Sequence, residues 1–232
     1  RNLDYPSLGY IHDYSLVTIY QPRGKLAFAS VGFPGLVGVL SGMNEAGLCL
    51  AVLEVFSIRE GENHFNPRGV PYGICLRQIL QESRTIAEAK ANIEKMTRTT
   101  TINVAICDKE SAGVLEVSPG KVELRPAING RCVATNHFLS PALKPQKIAN
   151  VNQSIERHGL LDKVETPMGG WTPTAMGQHL DQVNLGPQTL QTMAFDPASL
   201  KMHLAFGEPP ASQHPFKVVE LGKLFKNGKN MD

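Results

Sequence analysis

Leu48-Cys49-Leu50-Ala51-Val52-Leu53-Glu54-Val55-Phe56 is the stretch on which the fold turns. It is apolar at every position but Glu54, and so lacks the polar alternation of a strand with one wet face. Met43-Asn44-Glu45-Ala46-Gly47 precedes it and has turn composition; Gly35–Ser41, on the far side, is again apolar. Together they predict a hairpin whose arms are covered on both faces. Ser15–Tyr20 and Lys25–Val31, joined by Gln21-Pro22-Arg23-Gly24, extend the sheet. A polar loop is expected from Arg59 to Gly69.

Two helices follow. Val70–Gln81 places Ile74, Ile79 and Leu80 on one side. The next starts at a capping box of Thr85 and Glu88, with Ile86, Ala89, Ile93 and Met96 at helical spacing. Strands are expected again at Thr101–Cys107, Ala112–Val117, Lys121–Leu124 and Arg131–Thr135. Helices follow over Lys147–Leu161 and from Thr172, with Pro173 at the first helical position. Leu190–Phe195 and Leu200–Phe206 form the last hairpin around Asp196-Pro197-Ala198-Ser199. Strands covered on both faces, with helices outside them, predict an α+β fold of the αββα sandwich type.

Composition sets outer bounds. The 232 residues are 42% hydrophobic and 19% charged, enough for a sizeable core in one large domain or two small ones. A net charge of +2 supplies no strong field toward nucleic acid or membrane. Lys223, Lys226 and Lys229 make only a mildly basic tail. The longest apolar stretch, Pro34 to Phe56, is broken by Asn44 and Glu45 and is not a membrane span. Cys49, Cys75, Cys107 and Cys132 are scattered singly, and the seven histidines lack metal-ligand spacing, so neither a metal nor a redox motif is called for.

Two polar residues close apolar runs. Glu54 is either a buried carboxylate that needs a partner or a strand-end residue facing water. Asn136, after Cys132-Val133-Ala134-Thr135, is either a site residue or a strand-terminating turn. Residue types alone leave both pairs of readings open.

A family resemblance bears on them. Arg1-Asn2-Leu3-Asp4-Tyr5 resembles the "RN-x-D-aromatic" signature of the cysteine branch of the N-terminal nucleophile (Ntn) hydrolases. Gly42-Met43-Asn44-Glu45-Ala46-Gly47-Leu48 resembles the "GMNE-x-GL" hairpin of choloylglycine hydrolases. Glu54-Val55-Phe56-Ser57 is similar to the corresponding strand end of acid ceramidases and N-acylethanolamine acid amidases. Ala134-Thr135-Asn136-His137 resembles their "TN" strand end. Phe195-Asp196-Pro197 through Pro215-Phe216 and Leu224-Phe225 resemble the C-terminus of isopenicillin N acyltransferase relatives. The landmarks occur in order and cover nearly the whole chain. Choloylglycine hydrolases carry Asn where this chain has Glu54, and an arginine after a "TPAS"-like segment where it reads Thr172-Pro173-Thr174-Ala175-Met176. Both departures point to the ceramidase and acyltransferase branch.

The resemblance implies a single Ntn-hydrolase-like domain over residues 1–232, with the strand that carries the nucleophilic cysteine lying upstream of Arg1 and outside this sequence. It implies a thiolate that attacks an N-acyl amide or acyl-thioester and passes the acyl group to water or an amine. The nucleophile's own α-amine, of ordinary pKa ~7.7–8.0, would be the base. Arg1, Asp4, Glu54 and Asn136 would be the site residues: Asp4 orienting amine and thiol, Arg1 holding Asp4 and pairing with Glu54, Asn136 donating to the oxyanion. On a regular strand residues 1 and 4 face opposite sides, so the strand must end or bulge near Asn2-Leu3. No cofactor is implied, oligomerisation is left open, and the competing reading is a non-catalytic binding or scaffold protein on the same fold.

Overall fold

The computed structural model describes residues 1–227; Lys229 of the basic tail lies outside them. Among the described residues, eleven strands form two antiparallel sheets. The larger is a meander of seven: β2 (Leu16–Tyr20), β3 (Phe28–Gly32), β4 (Ser41–Asn44), β5 (Cys49–Glu54), β6 (Ile102–Cys107), β7 (Ala112–Val117) and β8 (Val122–Pro126). The smaller has four strands in the order β1 (Asn2–Asp4), β9 (Thr189–Asp196), β10 (Lys201–Phe206) and β11 (Lys217–Glu220).

The doubly apolar strands are explained by two separate cores. Leu48, Leu50 and Val52 pack outward with Val104, Ile106 and Leu115 against α1 (Tyr72–Glu82) and α2 (Ile86–Lys95), where Leu76, Ile79, Ile86 and Ile93 face them. The other face of the same sheet gives Ala29, Val31, Met43 and Cys49, which meet Leu3, Met193, Met202 and Leu204 of the smaller sheet. α4 (Pro173–Asp181) lies against β9 on the outer side, where Asn2 Nδ2 donates to Leu180 O at 2.9 Å. The layers are therefore helices, sheet, sheet, helix; α5 (Leu221–Asn227) adds Leu221 and Phe225 to the core between the sheets, and α3 (Ser154–Lys163) follows the irregular 131–153 stretch. Both helix starts read from sequence carry their caps: Thr85 Oγ1 accepts from Glu88 N, and Thr172 Oγ1 accepts from Ala175 N.

Two expected strands are not strands. The hairpin arm is Ser41–Asn44 rather than Gly35–Ser41, with Gly42 opposite Leu50 and Met43 opposite Cys49. Residues 35–40 are apolar because they dock on α1. Val39 N donates to Gly73 O, and a Cβ on Gly38 would meet the Gly73 main chain at 3.0 Å. Arg131–Thr135 is an irregular segment whose carbonyls are taken by side chains. Arg125 Nη2 donates to Val133 O, and Asn103 Nδ2 donates to Thr135 O and His137 O, each at 2.9 Å. Pattern alone cannot separate such a segment from a buried strand.

Candidate active site

The end of β1 is irregular. Asn2 lies opposite Thr192 and Leu3 opposite Gln191, but Asp4 lies opposite Thr189, so the register shifts between Leu3 and Asp4. A bulge of this kind re-aims a side chain. Leu3 points into the core between the sheets, while Arg1 and Asp4 lie near enough to interact electrostatically. Arg1 is paired to β9 through its main chain, its N donating to Met193 O at 2.7 Å and Met193 N donating to its O at 2.9 Å. Its guanidinium crosses to the larger sheet: Nη1 donates to Leu40 O at 2.9 Å and to Ser41 Oγ at 2.6 Å. Burial lowers its pKa to about 10, with the nearby Asp4 opposing that shift, so it is charged at neutral pH.

Asp4 accepts a hydrogen bond from Thr189 Oγ1 at 2.6 Å. Burial raises its pKa; the Thr189 hydroxyl and the charges of Arg157 and Arg1 pull the other way. Arg157, on α3, is the residue that the sequence reading missed. It is 8% exposed, donates from Nε to Asn152 O at 2.7 Å, and donates from Nη2 to Asn136 Oδ1 at 2.6 Å. Two successive left-handed residues, Asn152 (φ 53°) and Gln153 (φ 54°), kink the chain just before α3 and present that carbonyl to it. Two non-glycine residues in this region are sparse enough to mark a constrained segment.

Asn136 is held at three points. Its backbone N donates to Ser154 Oγ at 2.8 Å, its Nδ2 donates to Glu54 O at 2.9 Å, and its Oδ1 accepts from Arg157. One amide hydrogen on Nδ2 is engaged by Glu54 O; the other remains for an acceptor. Ser154 Oγ is also within 2.8 Å of Nδ1 of the buried His137.

Glu54 corrects the expected pairing. Its side chain is exposed at the end of β5 and makes no ion pair with Arg1; Tyr72 Oη donates to Glu54 Oε1 at 3.3 Å. Tyr72 stands in the field of both Glu54 and Arg1. Burial raises the phenol to about 12, Glu54 adds to the rise, and Arg1 opposes it. No direct ion pair joins Glu54 to Arg1; Tyr72 donates to Glu54 and lies within electrostatic range of Arg1. The structure brings Arg1 and Asp4 together, and Asn136 together with the main chain of Glu54. Arg157 joins the two groups. Neither Arg157 nor Tyr72 had a signal in the sequence: each is an ordinary polar position on an amphipathic helix, and its function depends on the tertiary fold.

None of the four cysteines belongs to this cluster in the contacts seen. Among the described residues no group of three or more His, Cys, Asp or Glu could hold a metal ion, and no helix is long and apolar enough to cross a membrane. A charged cleft lined by Lys25, Glu45, Glu82, Arg84 and Glu88 lies elsewhere and includes none of the candidate residues.

The fold has close structural counterparts. A variant of conjugated bile acid hydrolase from Clostridium perfringens superimposes with a TM-score of 0.64 at 13% identity, covering 96% of this chain and 87% of that one. Penicillin V acylase from Agrobacterium tumefaciens gives 0.62 at 15% identity, covering 96% and 82%. A Caenorhabditis elegans N-acylethanolamine-hydrolyzing acid amidase ortholog gives 0.54 at 14%, covering 94% and 93%. These likenesses establish the Ntn-hydrolase fold. No curated protein matches the chain by sequence. The family described as acyl-coenzyme A:6-aminopenicillanic acid acyl-transferase matches residues 1–211, nearly all of the described fold, and the chain belongs to that family.

Proposed function

We propose that this chain is the core of an amide hydrolase or acyltransferase that works through a cysteine thiolate and an acyl-enzyme, with the nucleophile on residues preceding Arg1. The observation that carries the reading is the convergence of Arg1, Asp4, Arg157 and Asn136 at the bulged end of β1. Two guanidinium groups near one buried carboxylate make a net-positive site, suited to holding a thiolate and a developing oxyanion. Asn136 donates its free amide hydrogen to the oxyanion. Arg157, on the amide oxygen, polarises that donor and fixes its orientation. Asp4 orients the attacking group; burial raises its pKa, the Thr189 hydroxyl, Arg157 and Arg1 oppose that rise, and Arg1 also ties β1 to the larger sheet. Glu54 contributes its carbonyl to hold Asn136, and its exposed carboxylate faces the entering substrate beside Tyr72.

The chemistry is two acyl transfers. The thiolate attacks the carbonyl carbon of an N-acyl amide or acyl-thioester, and the leaving amine or thiol departs with a proton. Water or an amine then attacks the thioester and restores the thiol. No cofactor is needed for either step.

The test compares residues 1–232 with the product that includes the upstream segment, using a fluorogenic N-acyl amide. The longer product should turn over, lose activity on thiol alkylation, and carry the activity-linked label on a cysteine upstream of Arg1. Alkylation-insensitive turnover, or loss of activity traced to Cys49, Cys75, Cys107 or Cys132, would overturn the reading.

A further inference from the structure

Cys49 and Cys107 were scattered singly in sequence, yet the fold sets them face to face. Cys49 opens β5, Cys107 closes β6, and the two are direct partners in the register. Both lie on the face between the sheets: Cys49 is 2% exposed, and Cys107 packs on the same core while keeping partial access to solvent. Cys75 and Cys132 have no such partner among the described residues; their sulfur contacts are to Val70 O and to the Arg125 side chain and carbonyl.

We propose that Cys49 and Cys107 form a dithiol oxidation site, taking a low-molecular-weight disulfide as oxidant and closing to a cross-strand disulfide. The geometry allows this bond. Val55 N donates to Thr101 O at the other end of the same ladder, so the Cys49–Cys107 pair, in phase with it, is a hydrogen-bonded pair. Such pairs have Cα atoms about 5.5 Å apart, inside the disulfide range of roughly 4.4–6.8 Å. In a hydrogen-bonded pair the Cβ atoms stand toward the far end of about 4.5–5.5 Å, roughly 1–1.7 Å beyond the separation of a relaxed disulfide, so closure must draw the two strand ends together. The closing movement falls at two strand ends, next to the turns at 45–47 and 108–111, where the ladder gives most easily. The residual strain makes the bond readily reduced, as in reversible sites rather than structural ones.

The roles of the two thiols differ. The Cys49 thiol, within hydrogen-bonding reach of Cys107, lowers the Cys107 pKa, while burial raises that of Cys49. Cys107 is thus the attacking thiolate and Cys49 the resolving thiol. Cys107 sulfur attacks one sulfur of glutathione disulfide, forming a mixed disulfide and releasing one glutathione thiolate. Cys49 sulfur then attacks the Cys107 sulfur, releasing the second. The two protein thiols are oxidised, one disulfide is reduced to two thiols, and the protons leave with them. The site is remote from the candidate active site, since Cys49 and Glu54 occupy opposite ends of β5, about 17 Å apart by strand rise.

The test incubates the fully reduced chain with glutathione disulfide under native conditions, followed by alkylation, intact mass and peptide mapping. The expected product has lost two hydrogens, leaves only Cys75 and Cys132 to alkylate, yields a Cys49–Cys107 linked peptide, and returns to the reduced form with excess glutathione. Cys49→Ser should instead trap a stable glutathione adduct on Cys107, and Cys107→Ser should leave Cys49 unmodified. Thermal melts run alongside show whether each variant is folded. A persistent adduct on Cys107 of the unmutated chain, a different linkage, or no reaction with the fold intact would each overturn the proposal.

Discussion

Removal of Glu116 tests how the Asn136 segment is held. Glu116, on β7, is fully buried and accepts three hydrogen bonds: from Arg125 Nε at 2.6 Å, and from Leu139 N and Ser140 N at 2.9 Å each. Arg125 in turn donates to Val133 O. One carboxylate therefore ties both ends of the irregular 131–140 segment, which carries Asn136, to the larger sheet. Glu116→Ala leaves two backbone donors without an acceptor and a guanidinium without its counter-charge. Breaking one partner of a buried pair costs about 3–5 kcal/mol. Arg125 keeps 22% side-chain exposure and can turn to water, so the lower end, about 3 kcal/mol, is expected. Glu116→Gln keeps volume and some acceptor capacity; losing the charge should cost about 1.5–3 kcal/mol. Urea titrations of the chain measure both losses, read from the midpoint at constant m-value. Amide exchange at Leu139 and Ser140 should accelerate in step. A loss under about 1 kcal/mol for Glu116→Ala, or unchanged protection of those two amides, would refute the anchoring role.

Other outcomes follow from the site. In the longer product, Asn136→Ala should lower kcat about 100- to 1000-fold with little change in KM, because the oxyanion exists only in the transition state; steady-state kinetics with a matched melt check it. Arg157→Met removes a charged hydrogen bond of about 1.5–3 kcal/mol and should cost roughly 10- to 100-fold in kcat. It should also move the acidic limb of kcat/KM to higher pH, since Asp4 loses a cation that holds its pKa down. His137 is lowered to about 4, chiefly by burial and then by neighbouring His158. A histidine whose folded pKa is depressed is best tolerated neutral. Its contribution is complete above ~6.5 and is lost as pH falls through about 4, a change of ~3 kcal/mol. Denaturant titrations across that window should show the loss, and His137→Asn should flatten it.

The sequence was most legible where local chemistry and tertiary packing agree. Leu48–Phe56 reads as a two-faced strand, and Cys49–Glu54 within it is one, because both of its faces meet apolar layers. Thr85 and Thr172 read as caps because a cap is decided by the residues within one turn of it. The two misread strands are apolar for other reasons: 35–40 lies on a helix, and 131–135 is bonded by side chains from β6 and β8. Glu54 shows the limit of a burial inference. Its run is apolar, but the strand ends there and the carboxylate escapes to solvent, so the Arg1 pairing expected of it has no physical need. Arg157 is reached only through the kink at Asn152 and Gln153, a backbone event that side-chain periodicity does not encode.

The contact between Gly38 and Gly73 has a consequence for variation at the site. Gly73 directly follows Tyr72, and a Cβ at either glycine would press on the main chain of the other segment, 3.0 Å away from Gly38 and 3.3 Å away from Gly73. Neither glycine has the left-handed backbone that would itself demand glycine; the constraint is proximity alone. The first turn of α1 is thus seated main chain to main chain, without an adjustable side chain between. Alanine at either position would require the facing main chain to give by a few tenths of an ångström, at the turn that carries Tyr72. The two positions are thus coupled: a side chain added at one is accommodated by a small backbone shift of the other segment rather than by side-chain repacking between them.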